Sequence, residues 1–191
     1  MEPVVGPVWQ KLLLQAKGNQ AAIDYYVGIC LAEEGNDSQA ITYFKTSDSL
    51  QNNAYARRNI AWLLARSNDR EGARLWYEKA SKAKEYLTDP SIAEEFLKFL
   101  LDNKKYTKAT EVFNALPLSF SSSRLSLCQA RLAAYQKDPV LLETLLAQGF
   151  SDIREGECPI DKLYDALLEM KGKTMSECPL PKSMAFQMFL L

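Results

Sequence analysis

The chain contains no histidine. The usual general base near neutral pH is therefore missing, and with it every serine or cysteine triad that works through imidazole. Its four cysteines, Cys30, Cys128, Cys158 and Cys178, lie far apart. They form no C-x-x-C pair and find no imidazole to complete a zinc set, so neither a metal nor another cofactor is expected. Apolar runs extend for only a few residues, against the roughly 20 that span a bilayer, and Met1-Glu2-Pro3 lacks the basic region of an export signal. An excess of one charge is missing too. The 23 basic and 24 acidic side chains are interspersed for a net charge of -1, which gives no field to draw nucleic acid or an anionic membrane. These absences predict a cytoplasmic protein with reduced thiols. Carboxylate or lysine chemistry stays formally open.

What is present is an ordinary globular composition, 47% apolar and 25% charged, arranged with a period. Between Tyr25 and Ala80, the series Gly28, Leu31, Gly35, Ala40, Phe44 is followed 33 residues later by Ala61, Leu64, Asn68, Ala73, Tyr77. Ala109 and Phe113 stand 36 residues beyond Ala73 and Tyr77. Small residues sit where two helices of a pair must approach closely, and an aromatic ring fills the wedge toward the next pair. This predicts an all-α fold, a right-handed superhelical solenoid of antiparallel helix pairs closed by a terminal helix and an extended tail.

Along the chain the spacing predicts a single helical-repeat domain over 1–191. Residues 1–20 form an N-terminal helix or cap, with Pro7 as the first helical residue, Val8, Trp9, Leu12, Leu13 and Ala16 as its apolar stripe, and Gly18-Asn19 as a left-handed stop. Repeats follow over 21–53, 54–87 and 90–122, turning at Gly35-Asn36, Ser67-Asn68-Asp69 and Lys104-Lys105-Tyr106, with Asp37 or Ser38 capping the second helix of the first pair. Residues 123–149 read as a degenerate repeat of open register that lacks the small anchors. Over 150–191 a charged loop, a last helix from Pro159 to Met170 and an extended tail complete the chain. Met184, Phe186, Met188 and Phe189 are too apolar to stay in water and are expected to cover the solenoid's end.

The alternation of Gly28/Ala40/Phe44 with Ala61/Ala73/Tyr77 resembles tetratricopeptide repeats over residues 21–148. A narrower set of strings resembles the C-terminal region of large bacterial proteins of unknown function. They are Ala56-Arg57-Arg58-Asn59-Ile60-Ala61, the Leu116-Pro117 break followed by Arg124, Asp152-Ile153-Arg154-Glu155-Gly156-Glu157 ahead of Leu163-Tyr164, and the closing Leu180-Pro181 and Phe186-Gln187-Met188. Those proteins join an N-terminal β-sandwich domain, similar to carbohydrate-active enzymes, to tetratricopeptide repeats. The resemblance implies that this chain is the repeat region alone, and that one partner is a β-sandwich domain of the same longer chain. Cys158 and Asp165 depart from that pattern.

In tetratricopeptide arrays the first helix of each unit lines the concave face. The repeat register carries this to Tyr25, Tyr26 and Ile29, to Tyr55, Arg58, Asn59, Trp62 and Arg66, and to Glu94, Glu95, Lys98 and Asp102, with Arg131 beside them. Rings with arginine supply large buried area and planar hydrogen bonding, so this groove is expected to hold a peptide or partner domain. The same rings could instead pack between units or against a folded tail. The family's carboxylate clamp uses lysine and asparagine on its first repeat; Tyr25 and Ile29 stand there, which disfavours that ligand, although Arg58 and Asn59 could hold a carboxylate or amide bidentately. Asp152, Glu155 and Glu157 around Arg154 read as a solvated loop, and Glu94 and Glu95 lie about 100° apart around a helix, so no active site is expected. The function predicted is a noncatalytic protein-interaction scaffold. The alternative is an accessory or oligomerisation module of a carbohydrate-active bacterial enzyme.

Overall fold

The computed structural model describes residues 5–151, 153 and 160–178. The sequence expectations for Met1-Glu2-Pro3, for the acidic residues and Arg154 of the 152–157 loop, for Cys158 and Pro159, and for the tail from Pro179 onward lie outside the described residues. Among the described residues the chain is helix and turn throughout, with no strand. Its helices are α1 (Pro7–Gln15), α2 (Gln20–Glu33), α3 (Asp37–Gln51), α4 (Ala54–Arg66), α5 (Arg70–Ala80), α6 (Pro90–Asp102), α7 (Tyr106–Asn114), α8 (Ser123–Gln136), α9 (Pro139–Gln148) and α10 (Ile160–Lys171), with a 3-10 turn at Lys84–Leu87. Two compact units divide the chain, Met1–Ala93 and Glu94–Leu191.

One turn chemistry recurs along the whole chain. Gly35, Asn68, Lys104 and Lys137 have φ of 80°, 67°, 57° and 58°, and the residue after each donates its N–H back to the carbonyl five residues earlier. These bonds are Asn36 to Leu31 at 2.8 Å, Asp69 to Leu64 at 2.8 Å, Lys105 to Leu100 at 2.8 Å and Asp138 to Ala133 at 2.9 Å. Each is the 6→1 bond that closes a helix through a left-handed residue. The fourth turn sets the register of 123–149, which sequence left open. Ala130 falls at the place of Gly28 and is wholly buried, while Leu142 takes the place of Ala40. The small anchor is therefore present on the first helix of this pair and absent from the second.

Helix starts are fixed by side-chain caps. Asn53 accepts from Tyr55 and Ala56 N–H, Asp69 from Gly72, Ser122 from Leu125 and Asp138 from Leu141. Two local expectations shift. α1 ends at Gln15 with Ala16 extended, and Asn19 caps the start of α2, accepting from Ala22 N–H at 3.2 Å. Asn36 holds the N-cap place of α3 without a side-chain bond, so Asp37 lies in the first turn, where its charge suits the helix dipole.

In Met1–Ala93 the core is built on Val27, Leu31, Phe44, Ile60 and Leu63, with Ala40 and Ala56 allowing the helices together. Each such large side chain removed from water contributes about 1.5–3 kcal/mol. Ser47, completely buried, donates to the Ala21 carbonyl at 2.8 Å and ties α3 to the start of α2. In Glu94–Leu191, Leu142, Leu146, Phe150, Tyr164 and Leu167 pack around Ala130 and Ala133.

Candidate functional site

Within Met1–Ala93 the predicted residues lie on α2 and α4, the first helices of consecutive pairs. Tyr25 and Arg58 stand one repeat apart, as do Ile29 and Trp62, so the register puts them on matching faces. Tyr25 is anchored from below: its ring centroid lies 5.7 Å from that of Phe44 in the core and 5.3 Å, edge-on, from that of Tyr26. Asn59 of α4 donates through Nδ2 to the Tyr25 hydroxyl at 3.5 Å, and Arg58 Nη1 donates to Asn59 Oδ1 at 3.3 Å. A polar run thus crosses from one first helix to the next.

On either side of that run the remaining residues fall into two groups. Tyr55 donates its hydroxyl to Asp89 Oδ2 at 2.9 Å, and Ser91 N–H donates to Asp89 Oδ1 at 2.9 Å. Hydrogen bonds from Ser91, joined by that from Tyr55 and by the charge of Arg58, hold the Asp89 carboxyl below its ordinary range against the opposing effect of burial. Donating to that carboxylate raises the Tyr55 phenol above its ordinary value. In the second group the Arg66 guanidinium lies 4.6 Å from the centroid of the Trp62 ring and grips Asp37 with both Nε, at 3.1 Å, and Nη2. Tyr26 and Trp62 remain 43% and 47% exposed.

Glu94 and Lys98 belong to the other unit. Glu94 accepts from the Ser122 hydroxyl at 2.6 Å, and Lys98 pairs with Asp102 at 2.6 Å. Asp102 also binds Arg131 at 2.9 Å, which brings that arginine to α6 as the register implied. Cys128, next to this chain of ions, has its thiol pushed up to about 12 by burial.

Asp37 and Asp89 are the participants sequence reasoning missed. Each stands at a helix start, ahead of Ser38 and Pro90, where an aspartate reads as a cap; nothing local announces that its other partner comes from α4. Among the described residues no group of histidine, cysteine or carboxylate side chains could hold a metal ion. Cys30, Cys128 and Cys178 carry thiols rather than disulfides.

No protein-family model matches the chain, and no curated protein does. Among solved structures, it resembles the crystal structure of a tetratricopeptide repeat protein from Parabacteroides merdae ATCC 43184. The TM-score is 0.61 at 19% identity, over 86% of this chain and 66% of that one. The chain thus spans just under two thirds of that protein's length, and what the likeness shows is the fold: an all-α, tetratricopeptide-like helical repeat.

Proposed function

We propose that this helical-repeat chain is a noncatalytic scaffold that holds a protein or peptide partner on the face built by α2 and α4. One observation supports this most. The run from Tyr25 through Asn59 to Arg58 fixes polar groups in place beside two large rings, Tyr26 and Trp62, that stay substantially exposed. Rigid rings next to an oriented guanidinium are the side chains from which interface anchors are made, because they bury much area while losing little conformational freedom. Tyr55 and Arg66 hold this face in shape through Asp89 and Asp37. Glu94 and Lys98 are the weaker candidates, each already engaged by Ser122 or Asp102. The thiols at Cys30, Cys128 and Cys178 suit a reducing cytoplasm, and no helix among the described residues is long and apolar enough to cross a membrane.

Affinity capture with the wild-type chain, Arg58→Glu and Trp62→Ala, quantified by mass spectrometry, tests the assignment. Partners retained by wild type should fall about tenfold on each variant, the loss of about 1.4 kcal/mol at an interface anchor. Equal recovery on all three chains would remove α2 and α4 from the binding role.

A further inference from the structure

A second surface lies within Glu94–Leu191. α7 has only 9 residues, against 15 in α3 and 11 in α5. The missing turn is replaced by an apolar connection through Leu116, Pro117, Leu118 and Phe120 that reaches the Ser122 cap of α8. It leaves a pocket of about 390 Å³ lined by Phe113, Leu116, Pro117, Phe120 and Leu125 together with uncharged polar residues such as Ser126 and Gln129. That volume falls in the range of about 300–1,000 Å³ typical of ligand sites. No charged side chain lines it, in a protein whose residues are 25% charged, and Leu118 stands fully exposed in its lining.

We propose that residues 179–191 of this chain dock in this pocket through Met184, Phe186, Met188 and Phe189. From Ser183 to Leu191 the segment carries no charged side chain, which matches the uncharged lining. The point where it leaves the described chain is favourable. Ser123, at the start of α8, lies 3.4 Å from Ser151, and α10 begins nine residues after Ser151 and packs on both α8 and α9. After α10 the chain turns at Gly172, where Lys173 N–H donates to the Leu168 carbonyl at 3.1 Å, and again where Cys178 N–H donates to the Thr174 carbonyl at 3.1 Å. The segment therefore begins eight residues after the end of a helix that packs on α8, whose N-terminal residues line the pocket. Thirteen extended residues reach about 43 Å, while a compact unit of about a hundred residues has a radius of gyration of about 13 Å. Tethering also gives the segment an effective concentration on the order of millimolar, an advantage over any free peptide of equal fit.

Ser126→Glu in the full chain tests this, because it puts a charge in the pocket while suiting the first turns of α8. Tryptic cleavage after Lys182 should accelerate about tenfold relative to wild type as the segment is released. An unchanged rate overturns the proposal. A photo-crosslinking residue in place of Phe186, in the otherwise wild-type chain, supplies a readout independent of that variant. Intramolecular adducts mapping to 113–129 are expected. Adducts elsewhere in the chain, or only between two copies, contradict it.

Discussion

Gly28 and the ring of Phe44 occupy one space. A Cβ placed on Gly28 would come within 2.7 Å of Phe44 Cε1 and 2.8 Å of Phe44 Cδ1, closer than packed carbons approach. The glycine is kept in mid-helix, against its poor helix propensity, because the ring of the second helix needs that volume. Gly28→Ala should therefore destabilise by about 1–3 kcal/mol, although alanine alone favours the helix by about 1 kcal/mol. Urea unfolding checks this, and adding Phe44→Leu should recover part of the loss.

That pair was legible in the sequence because size is encoded directly: a glycine and an aromatic recur as Ala61 and Tyr77 one period on. The fourth pair was not. Its turn uses Lys137 in a left-handed conformation, which a lysine does not advertise, and Leu142 replaces the alanine that marks the earlier pairs. The face of α2 and α4 was legible through register alone. The bonds of Tyr55 and Arg66 to Asp89 and Asp37 were not legible, because those second partners are brought by tertiary packing.

Ser47 has no exposure and bonds the Ala21 carbonyl. Ser47→Ala removes the second donor to that carbonyl, which keeps its bond within α2, and removes the acceptor for Asn53 Nδ2, at 3.3 Å. A loss of about 1–3 kcal/mol is expected by chemical denaturation, more than for a surface serine.

Tyr55→Phe should cost about 1 kcal/mol at neutral pH through its hydrogen bond to Asp89. The sign of the pH dependence follows from the lowered Asp89 carboxyl. Stability from a carboxylate held below its ordinary value is complete above that ordinary value, near pH 4, and is lost as pH falls through the folded-state value. The difference between wild type and Tyr55→Phe should be constant from pH 5 to 7 and shrink below pH 4. Thermal melts across that range measure it.

Burial raises the thiols of Cys30 and Cys128, the latter to about 12. Since the thiolate is the nucleophile, both should resist alkylation at pH 8 until the chain unfolds, while half-buried Cys178 reacts before either of them. Peptide mapping after timed iodoacetamide treatment gives the order.

The partner-binding role is tested most directly by photo-crosslinking at two exposed positions of Met1–Ala93. A photoreactive residue replaces Tyr26 on α2, or Leu75 on the second helix α5, which are 43% and 46% exposed. With the full chain in cells, adducts to a protein partner should form from position 26 and not from position 75. Adducts from position 75 alone, or equally from both, would contradict a binding face on α2 and α4.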